Sequence, residues 1–126
     1  MNLVDSSGWL EYFADGPNAD AFAPAIEDVE RLLISTVNLY EVYKWLALRH
    51  SEAAARQAVM TMQQARVIPV DARIALEAAR LSIQHRLPMA DSLIWATARL
   101  HDAVLWTQDA DFQGLDRVRY IPHQAR

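Results

Sequence analysis

Residues 89–109 have the sequence MADSLIWATARLHDAVLWTQD, in which a helix pattern is followed closely by a strand pattern. After Asp91, apolar side chains recur at three- and four-residue spacing, which predicts a helix over 89–101 with one face toward a core. The apolar run after the turn at residues 101–102 predicts a short strand over 103–106. Because the turn is so short, the helix must run antiparallel to the strand, and Asp91 is expected near the carboxyl end of that strand.

Short apolar runs alternate with longer helix-like stretches along the rest of the chain, which is typical of an α/β domain with a mainly parallel sheet. The predicted strands cover 2–5, 32–35, 67–70, 103–106 and 118–121. The predicted helices cover 6–14, 18–28, 36–50, 52–65, 72–86 and 89–101. Several helices begin at a residue type that caps or starts helices. These residues are Ser35 or Thr36, Ser51, Asp71 and Pro88.

The composition indicates a single domain over residues 1–126. Hydrophobic residues make up 52% of the chain and charged residues 22%, which is ordinary for a globular domain with a core. No apolar run approaches about 18 residues, and no basic segment precedes a long apolar one, so we expect neither a membrane span nor a signal peptide. The lack of cysteine excludes disulfides, a thiolate nucleophile and a zinc–thiolate site, and is consistent with a cytoplasmic location.

The formal net charge of −4 does not by itself indicate a nucleic-acid-binding protein. Four candidate site acids account for this charge, so the remainder of the chain is balanced. The basic residues are eleven arginines and one lysine, Lys44. Two explanations remain open at this point, because arginine suits bidentate phosphate contacts and a GC-rich genome also favours arginine codons.

These four acids lie beside or inside apolar sequence, where an unpaired carboxylate is costly to bury. They are Asp5, Glu41, Asp91 and Asp109. In open parallel sheets, sites form at the carboxyl ends of strands, and the predicted elements bring all four acids toward that edge. Because buried like charges repel, a hard divalent cation is the obvious ligand to neutralise them.

Each acid also has an explanation that needs no ligand. Asp5 is placed to cap the first helix, and Asp91 is placed to stabilise a helix start. Glu41, whose helix neighbours form an apolar stripe, lies three residues from Lys44 and suits an ion pair with it. Asp109 lies in a polar turn, where acids are common. The sequence leaves these alternatives open.

The helix predicted to carry Glu41 has more apolar side chains between residues 40 and 48 than one helix face can bury. They are Tyr40, Val42, Tyr43, Trp45 and Leu46. Either some of them form a groove for a partner helix, or the whole helix is buried. The sequence has no zinc-binding histidine pair, glycine-rich phosphate loop or serine nucleophile elbow.

Four short segments resemble, in order and spacing, the four acidic motifs of PIN-domain ribonucleases. They are NLVDSS at 2–7, NLYEV at 38–42, PMADSLIWATA at 88–98 and LWTQDADF at 105–112. Together with the chain length, they resemble the VapC toxins of bacterial toxin–antitoxin pairs across the whole chain. Trp95 and Gln108 depart from the residue types that are commoner at their positions, but neither replaces an acid.

The resemblance implies a three-layer α/β/α PIN-like domain over residues 1–126 with a five-stranded, mainly parallel sheet. It also implies a Mg²⁺- or Mn²⁺-dependent endoribonuclease that forms a dimer and is blocked by a small VapB-type antitoxin, which covers the acidic pocket. In metal-assisted hydrolysis of RNA, Asp5, Asp91 and Asp109 would bind one or two metal ions. Glu41 would be a further ligand or would orient the attacking water.

Three other residues are candidates for a supporting role. Ser6 and Thr107 lie beside the acids and are expected to support the ligands or to contact phosphate. Asp111 either assists Asp109 or caps the short segment after it. Two other functions remain open, namely a non-catalytic PIN-like module that binds protein or RNA, and a metal-dependent phosphatase. The first strand is not followed by Asp-x-Asp, which argues against a phosphatase of the aspartyl-phosphate type.

Overall fold

All five strands of the central sheet run parallel in the computed structural model, which describes residues 1–125. The strands are β1 (Asn2–Val4), β2 (Leu32–Ser35), β3 (Arg66–Ile68), β4 (Val104–Thr107) and β5 (Val118–Tyr120). The helices are α1 (Ser6–Phe13), α2 (Ala19–Glu27), α3 (Thr36–Arg49), α4 (Glu52–Met62), α5 (Ala72–His85) and α6 (Met89–Leu100). Short 3-10 helices cover Val29–Arg31 and Ala110–Phe112. The strand order is β3-β2-β1-β4-β5, and the predicted α/β class is confirmed.

Alternate side chains of the strands point to opposite faces of the sheet and build two separate cores. On one face, Leu3 and Leu105 pack with buried residues of α5 and α6. On the other face, Val4 and Ile34 pack with buried residues of α1, α2, α3 and α4. Helices therefore cover both faces, and the three-layer α/β/α arrangement is confirmed.

The predicted helix caps are also confirmed. Ser35, rather than Thr36, begins α3, because Ser35 Oγ accepts a backbone hydrogen bond while Asn38 Oδ1 accepts one from the Ser35 N–H. Ser51 and Asp71 accept backbone hydrogen bonds at the starts of α4 and α5. Satisfied N–H groups at these positions explain why the helices begin where the sequence indicates.

Two predicted elements end two or more residues earlier than the sequence indicated, while others differ by a single residue. The helix predicted over 52–65 ends at Met62, whose carbonyl accepts a hydrogen bond from the Ala65 N–H in a closing turn. The strand predicted over 67–70 is shifted to β3, since Pro69 has no N–H to continue the ladder. Of the helices in residues 1–125, none has the length and apolar character needed to cross a bilayer.

The carboxyl ends of β1 and β4 lie side by side, with Val4 paired with Trp106. Asp5 comes next, and its N–H donates to Trp106 O at 3.0 Å. Gly8 lets α1 start close to this edge, because a Cβ at Gly8 would lie 2.6 Å from Val4 Cγ1 and 2.8 Å from Phe22 Cε1. The first acid and the first turn of α1 are thus fixed at the same edge of the sheet.

Candidate metal centre

The four candidate acids line one open pocket of about 390 Å³ at the carboxyl edge of the sheet, which we call the acidic pocket. Asp5 follows β1 and Asp109 follows β4, while Asp91 lies in the first turn of α6 and Glu41 lies on α3. Because α6 packs on both α3 and β4, its first turn reaches the same edge. The structure therefore brings together all four acids, whose roles as ligands stay predictions.

Asp5 is the most enclosed of these acids, with 4% of its surface exposed. Its Oδ1 accepts hydrogen bonds from Ser7 Oγ at 2.6 Å and from the Gly8 N–H at 3.2 Å, and its Oδ2 accepts one from Thr107 Oγ1 at 2.9 Å. Burial raises the pKa of Asp5 to about 6, while these hydrogen bonds lower it and the charge of Asp109 raises it further. Asp5 therefore caps α1, as one of the open alternatives held, and it also lines the acidic pocket.

Asp91, Asp109 and Asp111 form the tightest group of acids. Each offers one carboxylate oxygen, and the three oxygens lie within 4.8 Å of one another. Partial burial raises the pKa of Asp91 to about 8, and the charges of Asp109, Asp111 and Asp5 together with a hydrogen bond to Asp111 raise it as well. Asp91 therefore holds its proton unusually tightly unless a positive charge is supplied.

Glu41 is held by a chain of side-chain hydrogen bonds. Ser6 Oγ donates to Glu41 Oε1 at 2.6 Å, and Asn38 Nδ2 donates to Ser6 Oγ at 3.1 Å. Asn38 is fully buried and is itself fixed by the Ser35 N–H. Ser6 and Thr107 thus each contact one candidate acid, Glu41 and Asp5 respectively, and their support of metal ligands or contact with phosphate stays a prediction.

The turn after β4 is capped by Asp109 and not by Asp111. Asp109 Oδ1 accepts from the Asp111 N–H at 2.9 Å, at the start of the 3-10 helix Ala110–Phe112. The Asp109 N–H in turn donates to Thr107 Oγ1 at 2.9 Å. Of the two alternatives for Asp111, capping is wrong, and the structure places this exposed side chain with the acidic group.

Two cations, Lys44 and Arg49, also line the acidic pocket. Lys44 Nζ lies 3.3 Å from Tyr40 Oη, and Arg49 Cζ lies 4.8 Å from the centre of the Trp45 ring. Among residues 1–125, neither Glu41 nor Lys44 takes part in an ion pair of 4 Å or less. The alternative in which Glu41 pairs with Lys44 is therefore wrong. The pocket acids keep their mutual repulsion, and a set of hard oxygen donors of this kind suits Mg²⁺ or Mn²⁺.

Sequence reasoning missed four residues of this site: Ser7, Asn38, Lys44 as a pocket cation, and Arg49. Helical spacing held a signal for three of them, since Asn38, Lys44 and Arg49 lie three residues before, three after and eight after Glu41, on its side of α3. The contact of Ser7 depends on the tight turn from β1 into α1, for which the sequence held no separate signal.

A second depression of about 550 Å³, which we call the apolar groove, runs beside the acidic pocket between α3 and α4. Its lining includes Leu39, Tyr43 and Val59, which are half-buried, and Tyr40 and Leu48, which are 64% and 74% exposed. Of the two alternatives for this helix, full burial is therefore wrong. Lys44, Tyr40 and Leu48 line both the apolar groove and the acidic pocket, so the two are continuous.

Comparison with known proteins gives one family and several structures. The sequence model described as PIN domain matches residues 3–118. No curated protein matches the chain. A toxin–antitoxin complex from Klebsiella pneumoniae has a chain that is 27% identical, with a TM-score of 0.80 and coverage of 99% of this chain and 100% of that chain.

Two further structures share the fold at lower identity. FitAcB from Neisseria gonorrhoeae is 22% identical, with a TM-score of 0.75 and coverage of 97% of this chain and 98% of that chain. VapC20 from Mycobacterium tuberculosis, described as a sarcin-ricin loop cleaving toxin, is 20% identical, with a TM-score of 0.73 and coverage of 94% and 99%. The similarity extends over almost the full length of each chain.

Proposed function

The chain belongs to the PIN domain family, and on this premise we propose that it is a metal-dependent endoribonuclease and the toxin of a toxin–antitoxin pair. The observation that carries the proposal is the meeting of Asp5, Glu41, Asp91 and Asp109 in one pocket, where none of them has an ion pair of 4 Å or less among residues 1–125. RNA as the substrate is supported by the fold shared with a sarcin-ricin loop cleaving toxin.

The electrostatics of the pocket support a divalent ion. Two carboxylates about 4 Å apart repel by about 4 kcal/mol at an effective dielectric constant near 20. Asp91 and its acidic neighbours have oxygens within 4.8 Å of one another, and the pKa of Asp91 is raised to about 8. The protein without metal therefore has to hold extra protons or bear this repulsion, and a divalent cation relieves both.

The acids of the pocket suit the proposed roles in metal binding and hydrolysis. Asp91, Asp109 and Asp5 would hold the ion, and Asp111 is close enough to Asp91 to contribute. The chemistry that a divalent ion supplies at such a site is polarisation of a phosphoryl oxygen and a lower pKa for coordinated water. Glu41 would bind the metal or orient the attacking water.

The hydroxyl groups of the pocket fix the orientation of two of these acids. Ser6 Oγ holds Glu41 at 2.6 Å, and Ser7 and Thr107 hold Asp5 at 2.6 and 2.9 Å. Fixed carboxylates lose less conformational freedom when they bind a ligand, so these hydroxyls would prepare the acidic pocket for it.

The apolar groove supports an antitoxin as the partner. Tyr40 and Leu48 expose large apolar surface there, and a groove between two helices suits the apolar face of an amphipathic helix. Because the groove is continuous with the acidic pocket, a bound VapB-type antitoxin would also cover the acids. A homodimer stays a prediction, and light scattering of the purified protein measures it.

Cleavage of labelled RNA in Mn²⁺, with and without excess chelator, tests the proposal. We expect cleavage that the chelator stops, and we expect Asp91→Asn to abolish it while the fold is kept. Asp20→Asn is the matched control, because Asp20 is an exposed acid in the first turn of α2, outside the pocket. Cleavage by Asp91→Asn at the wild-type rate would contradict the assigned role. Turnover of a small phosphate ester but not of RNA would favour the phosphatase alternative.

A further inference from the structure

We propose that Arg49 binds a phosphate group of the RNA strand next to the phosphate that is cleaved. This inference rests on the proposed nuclease function and adds to it a substrate-binding residue outside the acids. It also gives the RNA strand a path, since Arg49 lies on one side of the acidic pocket.

The position of Arg49 separates it from the acids but keeps it on their pocket. It is the last residue of α3, eight residues after Glu41, which corresponds to about 12 Å along the helix axis. Side chains in a helix lean toward its N-terminus, and the guanidinium accordingly lies over the ring of Trp45, one turn closer to the acids. Both residues line the acidic pocket. The guanidinium therefore lies at the rim, where a flanking phosphate would pass.

The guanidinium of Arg49 has no carboxylate within 4 Å among residues 1–125. Arginine is uncommonly well suited to phosphate, since its planar group presents several N–H donors in a fixed geometry. Five other arginines of the chain are each paired with an acid. They are Arg31, Arg56, Arg80, Arg99 and Arg117. Arg66, Arg73, Arg86 and Arg119 also have no carboxylate within 4 Å among the described residues, but none of them lines the acidic pocket. Arg49 is therefore set apart by its position, as an unpaired arginine beside the acids.

A second groove, of about 760 Å³, continues from the acidic pocket on the side of Arg49. It runs between α1, α3 and α4, and it shares Leu10 and Trp45 with the acidic pocket. Phe13 and His50 add aromatic surface, on which nucleobases can stack. An RNA strand that crosses from the acidic pocket over Trp45 into this groove passes directly beside Arg49.

The neighbouring cation, Lys44, differs from Arg49 in one informative respect. Lys44 lines the apolar groove as well as the acidic pocket, whereas Arg49 lines the acidic pocket alone. Loss of Lys44 would therefore affect both the substrate and a partner in that groove. Arg49 offers the cleaner test of RNA binding.

The experiment measures binding of a short, labelled single-stranded RNA of mixed sequence by fluorescence anisotropy in EDTA, where metal-dependent cleavage cannot occur. We expect Arg49→Ala to raise the Kd by about three- to tenfold. The slope of log Kd against log salt should fall by about 0.7, the value for one phosphate contact in a single strand. Arg49→Lys should keep most of that slope, because the charge remains.

The matched control is Arg66→Ala. Arg66 is exposed, has no carboxylate within 4 Å among the described residues, and opens β3 at the amino edge of the sheet, away from the acids. Its Kd and salt slope should equal those of the wild type. Equal effects of Arg49→Ala and Arg66→Ala, or no RNA binding by the wild type at low salt, would overturn the inference.

Two outcomes distinguish a failure of this inference from a failure of the proposed nuclease function. Wild-type protein that binds RNA through Arg49 in EDTA but leaves it intact in Mn²⁺ would refute the proposed nuclease and not the contact. Unchanged RNA binding by Arg49→Ala, combined with weaker inhibition by the antitoxin, would assign Arg49 to the partner and overturn the inference.

Discussion

Asp91→Asn should stabilise the protein in metal-free buffer at alkaline pH, although it removes a proposed metal ligand. The pKa of Asp91 in the folded protein is about 8, well above its ordinary value of 3.8, so the folded state favours the neutral carboxyl group. The stability that this group contributes below about pH 4 is therefore lost as the pH rises through 8. Asparagine has a similar shape and no charge at any pH, so the variant avoids this loss.

The size of the effect follows from the pKa and from exposure. Without screening, a rise from 3.8 to about 8 corresponds to about 6 kcal/mol of folding free energy. Because Asp91 is only half-buried, solvent screening reduces this to about 1–2 kcal/mol. In a domain of this size, 1 kcal/mol shifts the Tm by about 3–6 °C. We therefore expect Asp91→Asn to melt about 3–10 °C above the wild type at pH 9 in EDTA.

Thermal melts followed by circular dichroism between pH 5 and 9 measure this difference. The gap should narrow toward pH 5, where wild-type Asp91 is protonated. Asp20→Asn, which removes a helix-start charge outside the pocket, should not melt above the wild type at any of these pH values. Adding Mg²⁺ should stabilise the wild type by about 2.7 kcal/mol at one hundred times its Kd, and Asp91→Asn much less. If Asp91→Asn melts below the wild type at pH 9 in EDTA, the acids do not repel one another as the structure indicates, and the reasoning is refuted.

Two further predictions concern the hydroxyl that holds Glu41 and the apolar groove. Ser6→Ala removes the 2.6 Å hydrogen bond to Glu41 and leaves the buried Asn38 amide without its acceptor. RNA cleavage should slow by about tenfold at temperatures below a lowered Tm, with recovery of both in Ser6→Thr. Wild-type cleavage by Ser6→Ala would contradict a role in holding Glu41. Ala47→Glu places a charge in the apolar groove, so it should weaken inhibition by the antitoxin by at least tenfold without slowing cleavage. Ala53→Glu, on the exposed surface of α4, is its control, and equal inhibition of both variants would exclude the groove as the antitoxin site.

Most of the fold could be predicted because its signals are local. Ser35, Ser51 and Asp71 are residues whose side chains satisfy N–H groups within three positions, so each helix start is encoded where it occurs. The end of β3 was missed although Pro69 marks it, since the apolar run continues on both sides of that residue. Strand ends depend on pairing with a neighbour, which sequence periodicity does not record.

The site could be predicted only in outline, for a related reason. Asp5 and Asp109 follow apolar strands, and the short return from α6 to β4 places Asp91 with them, so topology alone brings acids together. The contacts that hold the acids are different, because Ser6 and Glu41 are 35 residues apart in sequence and meet only through packing of α1 and α3. A spacing pattern in one chain carries no information about such a pair.

The two explanations for Asp5, as a helix cap and as a site acid, turn out to require the same geometry. A cap at the first turn of α1 must lie directly after β1, and that position is the carboxyl edge where the acids meet. Hydrogen bonds from Ser7, Thr107 and the Gly8 N–H lower the pKa of Asp5, so it stays near 6 despite its burial, whereas burial and the neighbouring acids raise the pKa of Asp91 to about 8. At neutral pH without metal, Asp5 is therefore mostly ionised and Asp91 mostly protonated. The hydroxyls of Ser7 and Thr107, together with the cap at Gly8, thus keep one acid of the pocket charged, which favours binding of a cation there.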